Sequence, residues 1–207
     1  KWEVEFKEVM NSGGFDVVVG NPPYVFGGGT GISIKEKEFF SKNFVSGKSK
    51  LNLFSLFIEK SINVLKNKGF LSFILPNTLL RVTSYEETRK LILDKTIISR
   101  INNLPAGIFE GVTASTIIII LNKEKNSTIL EENKIKVFDK LEDNFRLKLQ
   151  NEFKQNLHIF DLGSENFNNK IFEKIKLNTL LLGSICKEMI FGVVITKNRD
   201  ELIFNKK

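Results

Sequence analysis

One cysteine, Cys186, stands in 207 residues, so no internal disulfide framework is available and a reducing compartment, the cytoplasm, is expected. There is also one histidine, His158; one Cys and one His do not build a zinc site, and no metal is expected. His158 has no Ser or Cys with an acid around it in sequence, which leaves nucleophilic catalysis without support. No apolar run reaches membrane-spanning length, and the opening KWEVEFKEVM lacks the order of a signal peptide, so no membrane partner is expected. Acid is in deficit: 24 Asp and Glu face 31 Lys and Arg, a net charge of +7. That balance leans towards an anionic partner, nucleic acid first, although a merely Lys-rich soluble protein shows it too. Repeats and low-complexity tracts are missing.

What is present is enough apolar surface, 42% hydrophobic residues, for one good core with room for a second small unit. FDVVVG at 15–20 is a short apolar run ended by Gly and Pro, the pattern of a buried strand. Residues 27–50, rich in Gly, Ser and Lys without a clear period, are expected to form a mobile loop. In LNLFSLFIEKSINVLKN (51–67), Phe54, Phe57, Ile58, Ile62 and Leu65 form one helical stripe, with Glu59, Lys60, Asn63 and Lys66 elsewhere. Gly69 sits where a helix end wants positive φ. GFLSFILP (69–76) is a second buried strand, and Ser84 with Glu87 has capping-box spacing for a helix through Asp94. IISRINNL (97–104) and STIIIILN (115–122) are two more strands, the second a central one covered on both faces. This order predicts an α/β protein with a mostly parallel sheet. After Lys123 the texture becomes polar, and Leu141, Phe145, Leu149, Phe153 and Leu157 recur every fourth residue as in a helix.

Ligands of open α/β sheets lie beyond the carboxyl ends of the strands, and Asn21-Pro22-Pro23-Tyr24 follows such a strand directly. Two prolines fix φ and remove two N–H donors, which leaves acceptors: the Asn21 side-chain oxygen and the Pro22 carbonyl. Tyr24 adds a flat π-face. These parts suit the activation of an exocyclic amino group. Its lone pair is delocalised into the ring, and two acceptors, one per N–H, draw the nitrogen towards a tetrahedral shape. A base must leave the duplex stack to reach them. The plainer alternative is that Pro-Pro ends a strand in a turn and Tyr24 packs on the surface.

FDVVVGNPPYV resembles the catalytic motif of amino-methyltransferases that use S-adenosylmethionine. KLNLFSLFIEKSINVLKNKGFLSFILPNTLL (50–80), LRVTSYEETRKLI and INNLPAGIFEGVTASTIIIILNK (101–123) are similar to the gamma class of N6-adenine DNA methyltransferases, found in TaqI-type methylases and type IIG restriction–modification enzymes. The resemblance runs from Lys1 to about Lys123 and implies roles. Asn21 and Pro22 accept the adenine amino protons, Pro23 belongs to the same catalytic motif, and Tyr24 stacks on the flipped base. Phe109, in AGIFEGVTAS, takes the place of the second stacking aromatic, with core packing as the alternative. Phe57 matches the aromatic that contacts the adenine of the methyl donor and equally suits the helix's apolar stripe; Asn21 borders the same cofactor site. LLLGSICKEMIFGVVITKNRDELI (180–203) resembles the entrance of the family's target-recognition domain.

The family's Gly-rich cofactor-binding turn is not found in the chain. GGGTG (27–31) follows the Pro-Pro rather than a fresh strand, and HIFDLGSEN (158–166) has one Gly and no further strand–acid pair. The fold expected is therefore α/β, the C-terminal half of a Rossmann-like S-adenosylmethionine-dependent methyltransferase sheet followed by a mixed α+β segment. Residues 1–128 form the catalytic half, and 129–207 a linker and the beginning of the target-recognition domain. The function expected is methyl transfer from S-adenosylmethionine to N6 of a flipped adenine in double-stranded DNA, within a larger restriction–modification or phage-defence polypeptide. Without the donor-binding half, the chain alone is expected to be inactive. Ribosomal RNA or protein-glutamine methylation, and a non-catalytic DNA-binding scaffold, are the alternatives. Glu86-Glu87 fits helix N-terminal charge better than a catalytic pair. Lys35, Lys37, Lys42, Lys48 and Lys50 suit phosphate contacts or a solvated loop alike.

Overall fold

The computed structural model describes residues 2–27, 31–48, 51–107, 115–141 and 144–163, with 174–175, 177, 179–180 and 182–185 beyond them. The chain divides into two compact units, Lys1–Leu162 and Gly163–Lys207. The described part of the second unit includes a short helix, Leu182–Ile185. Cys186 and most of 180–203 lie outside the described residues.

The first unit is built on six strands: β1 (Phe15–Gly20), β2 (Leu65–Pro76), β3 (Thr96–Leu104), β4 (Thr116–Lys123), β5 (Lys134–Asp139) and β6 (Phe145–Leu149). Their order is β1-β2-β4-β3-β5-β6. β1 runs parallel to β2, and β3 to β5, while β4 is antiparallel to both its neighbours and β6 to β5. The sheet is thus mixed rather than mostly parallel. The stretch between Leu104 and Thr116 is too short for a helical crossover, so β4 returns antiparallel. The sheet does not stop at residue 128, since β5 and β6 extend it. The four-residue recurrence at 141–157 is not helical: Phe145–Leu149 is a strand, and Gln150–Lys154 a 3-10 turn.

Six helices accompany these strands among the described residues of this unit: α1 (Trp2–Glu5), α2 (Lys7–Asn11), α3 (Ile34–Asn43), α4 (Leu53–Val64), α5 (Glu86–Lys95) and α6 (Ser127–Glu132). α3 lies inside the stretch expected to be loop. It opens with a complete capping box, Ser33 accepting from the Glu36 N–H and Glu36 from the Ser33 N–H. α4 stops at Val64 because Leu65, 1% exposed, already opens β2 beside Phe15. The left-handed residue after it is Lys68, not Gly69. Gly69 is required for another reason, since a Cβ there would lie 2.9 Å from the Phe15 carbonyl oxygen. α5 begins at Glu86 with Tyr85 in the N-cap position and no side-chain cap bond, so the helix does not start at the predicted Ser84 box.

Phe54, Ile58 and Ile62 of α4 and Ile92 and Leu93 of α5 pack on one side of the sheet, against Leu71, Phe73, Leu75, Ile98, Ile101, Ile117, Ile119 and Leu121. The intervening residues are more open. Phe70 is 47% exposed, and Ile118 and Ile120 are half-buried, so β4 is central but covered on one face only among the described residues. β1 is not buried either: it pairs on one side, with β2, and Val17 and Val19 are 54% and 73% exposed. Among the described residues no helix is long and apolar enough to cross a membrane.

Candidate active site

β1 delivers the chain to the carboxyl rim of the parallel pair β1–β2, where Asn21 is exposed, Pro22 buried, and Pro23 and Tyr24 exposed. The Asn21 amide has no hydrogen-bond partner among the described residues. The tail of the motif is then stitched to the lead-in of α4. The Gly27 N–H donates to the Leu51 carbonyl at 2.8 Å, the Leu53 N–H to the Val25 carbonyl at 3.0 Å, and Phe26 faces Asn52 in an antiparallel bridge. Gly27 permits this approach, because a Cβ there would lie 3.0 Å from that of Leu51. Asn52 caps α4, its oxygen accepting from the Phe54 N–H at 3.3 Å.

Tyr24 is held at two points. Its hydroxyl donates to the Ile74 carbonyl of β2 at 2.9 Å, and its ring stands edge-on to Phe54, 6.3 Å away at 90°. Partial burial pushes the phenol pKa above its ordinary value.

Beside the motif, β1 and α4 flank a cleft of about 620 Å³ that Asn21, Pro22 and Phe57 share. Phe57 is 46% exposed and turned into this cleft, not into the core stripe of α4. The walls are apolar apart from the Asn21 amide, Lys60 and Ser61. Such a cleft suits a flat heteroaromatic group better than a polyanion. The structure thus brings Asn21, Pro22 and Phe57 onto one surface. Tyr24 lies on the other side of the motif, towards Phe54, and Pro23 does not line the cleft. Phe109 lies outside the described residues, as do Gly28, Gly29, Thr30 and Lys50.

Three buried groups behind the site had escaped the sequence reading. Glu59, 5% exposed on α4, accepts from the Val45 and Ser46 N–H groups and the Ser46 hydroxyl, at 3.1, 2.8 and 2.6 Å, and so pins the chain after α3. Asn52 and Tyr85 are joined by a hydrogen bond of 3.3 Å. Only Asn52 carried a signal, an Asn placed just before an apolar helical run. Glu59 reads as one more polar position.

The remaining candidates fall away from the cleft. Glu86 faces His158 Nδ1 at 3.3 Å, consistent with a helix-terminal charge. Lys35, Lys42 and Lys48 are exposed on and after α3. Asp161-Leu162-Gly163 follows no strand, which removes HIFDLG as a cofactor-binding turn. Among the described residues no three His, Cys, Asp or Glu gather to hold a metal ion.

The sequence profile of the Eco57I restriction-modification methylase family matches residues 1–109, more than half of the chain. The chain belongs to that family. The type II restriction enzyme and methyltransferase RM.Eco57I of Escherichia coli is 32% identical over 114 residues, covering 54% of this chain and 11% of that protein. The adenine-specific methyltransferase BrxX of Escherichia coli O9:H4 (strain HS) is 32% identical over 103 residues, 50% of this chain and 8% of that protein. The chain therefore spans about a tenth of the length of these two relatives. Among solved structures, the type IIG restriction endonuclease BpuSI superposes with a TM-score of 0.55 at 19% identity, over 93% of this chain and 26% of that one. The fold is that of the Rossmann-like methyltransferases, and the Eco57I-family segment coincides with β1, β2, β3 and the helices between them.

Proposed function

We propose that this chain supplies the catalytic half of a DNA methyltransferase that methylates N6 of an adenine turned out of duplex DNA, in a restriction–modification or phage-defence protein of the cytoplasm. The observation that carries the reading is the Asn21 amide, exposed at the sheet rim with no hydrogen-bond partner among the described residues and backed by a buried proline. An acceptor held ready by a rigid main chain needs no rearrangement when the amino group arrives. Asn21 Oδ1 and the Pro22 carbonyl each take one amino N–H and free the nitrogen lone pair. Tyr24, with Phe109, holds the ring of the base. Names among the relatives, a restriction enzyme and methyltransferase and an adenine-specific methyltransferase, support the same chemistry.

S-adenosylmethionine would supply an electrophilic sulfonium methyl. The cleft fits part of it: Phe57 offers a ring face for its purine and Asn21 a polar group at the rim. The described residues include no Gly-rich turn for the rest. The edge of β1, unpaired among the described residues, and the open face of β2 and β4 support a further donor-binding half of the sheet supplied outside 1–162, with the residues after Leu162 leading towards target recognition.

Two experiments test this. In the full-length protein, Asn21→Ala should lower N6-methyladenine formation by about 10²–10³-fold with an unchanged melting temperature, as for loss of one preorganised polar contact. An unaltered rate would end the proposal. The 207-residue chain alone should give no turnover, and calorimetric titration with S-adenosylmethionine should show weak binding or none. Micromolar affinity would contradict the division into halves.

A further inference from the structure

Behind Tyr24 lies a buried polar pair that no motif announced. Asn52 is 0% and Tyr85 3% exposed. Asn52 Nδ2 donates to the Tyr85 hydroxyl at 3.3 Å. The other end of the Asn52 amide caps α4 at Phe54. Phe54, 0% exposed, leans on Tyr85 with centroids 4.9 Å apart and meets Tyr24 edge-on. Asn52 thus touches the motif by main chain, through its bridge to Phe26, and by side chain, through Tyr85 and Phe54. Buried polar pairs of this kind have one good arrangement, because leaving either partner unpaired is costly.

We propose that the Asn52–Tyr85 hydrogen bond, transmitted by the Phe54 ring, sets the tilt of Tyr24, making Asn52 and Tyr85 positioning residues for the base platform. The last clause rests on the function proposed above; the coupling to Tyr24 does not. The geometry leaves Tyr24 few alternatives, since its hydroxyl is tied to Ile74 and its ring edge to Phe54. If Tyr85 shifts, Phe54 follows. Tyr24 must then give up one of its two contacts.

The chain has two tyrosines, so fluorotyrosine labelling gives one fluorine resonance each for Tyr24 and Tyr85. Tyr85→Phe removes one oxygen and one resonance. It should shift and broaden the Tyr24 signal and lower the Tyr24 phenol pKa towards its ordinary value as water reaches the ring. Asn52→Asp should leave the Tyr24 signal at its native position. The new carboxylate still caps Phe54 and can accept from the Tyr85 hydroxyl, and a negative charge is favourable at a helix N-terminus. In the full-length protein Tyr85→Phe should cut kcat about tenfold with KM for DNA unchanged, the signature of a misplaced reacting group. A Tyr24 resonance that stays within its linewidth in Tyr85→Phe overturns the proposal. So does an Asn52→Asp chain in which it moves as far as in Tyr85→Phe. Should Tyr85→Phe fail to fold, Asn52→Ser, which keeps a cap acceptor for Phe54 but loses the donor to Tyr85, is read by the first criterion: a Tyr24 resonance that stays within its linewidth overturns the proposal. Absence of methylation in every full-length variant would count against the function, while the resonance still reads the coupling.

Discussion

On β2 and β4, adjacent residues differ mainly in which side of the sheet they face. Leu71, Leu75, Ile117 and Leu121, under α4 and α5, are fully buried, whereas Phe70 is 47% exposed and Ile118 and Ile120 are half-buried. The residue types are nearly the same on both sides. Hydrophobicity therefore makes a residue available for a core, and a covering element makes it one. An apolar sheet face left open beside a parallel pair is an incomplete layer, since parallel strands are ordinarily covered on both sides.

Truncation on the two faces should measure this difference most strongly. Leu75→Ala should cost about 4 kcal/mol in urea denaturation, the transfer loss plus a cavity under α4 and α5. Ile120→Ala should cost about 2 kcal/mol, because part of its surface is already wet. Equal costs would mean that the open face is covered in solution. If the costs differ as expected, addition of the proposed donor-binding half should raise the cost at Ile120 towards that at Leu75.

The covering layer itself is locked by polar groups, which sharpens the contrast. Arg89 of α5 is 0% exposed and donates to four carbonyls, those of Leu79, Val82, Leu157 and His158, at 2.8–2.9 Å. Two of those acceptors have left-handed φ, 60° at Leu157 and 54° at His158, a conformation such residues adopt only under constraint. Arg89→Met should cost about 3 kcal/mol, because the carbonyls lose their donors in a dry site. A loss under 1 kcal/mol would show that water enters and replaces them. Glu59→Gln, on α4, should cost about 2 kcal/mol and speed amide exchange at Val45 and Ser46, since an amide cannot accept from all three donors. Unchanged exchange there would show that the chain after α3 is held by something else.

The readable parts of the sequence were those in which a local signal and the tertiary outcome agree. Gly20 and the prolines closed β1, the isoleucines of β4 marked a central strand, and Phe54, Ile58 and Ile62 gave the buried stripe of α4. Where they diverged, longer-range contacts decided. α3 has no apolar period, so its Ser33–Glu36 cap is a weak local clue that the Gly, Ser and Lys around it outweigh. The recurrence at Phe145 and Leu149 misled because a spacing of four is also even, and so fits a strand as well as a helix. Charged Arg146 and Lys148 between them favoured the strand. Of the candidate site, the placement of Asn21, Pro22 and Tyr24 at the sheet rim was legible, because proline restricts the backbone wherever it occurs. Phe57 was half legible: its place on α4 was clear, but its turn into the cleft depends on where β1 lies. Asn52, Tyr85 and Glu59 have partners far away in sequence, and no local pattern announces such pairs.

The smallest expected effect lies on neither face and serves as the control. Glu124, at the end of β4, is 3% exposed and accepts from the Lys68 ammonium and from the N–H groups of Lys125 and Asn126. The bond from Lys68, then that from the Asn126 N–H, holds its carboxyl below the ordinary range. A folded-state pKa below the unfolded one means that the carboxylate's stabilisation is whole above the unfolded pKa of about 4.3 and fades as pH falls through the lower folded value. Glu124→Gln should therefore lower the melting temperature by the same few degrees at every pH from 7 to about 5, and the gap to wild type should close in more acidic buffer. A gap that persists as the carboxyl is protonated would assign the loss to packing at the end of β4 rather than to charge. The open-face comparison would then need a different reference position.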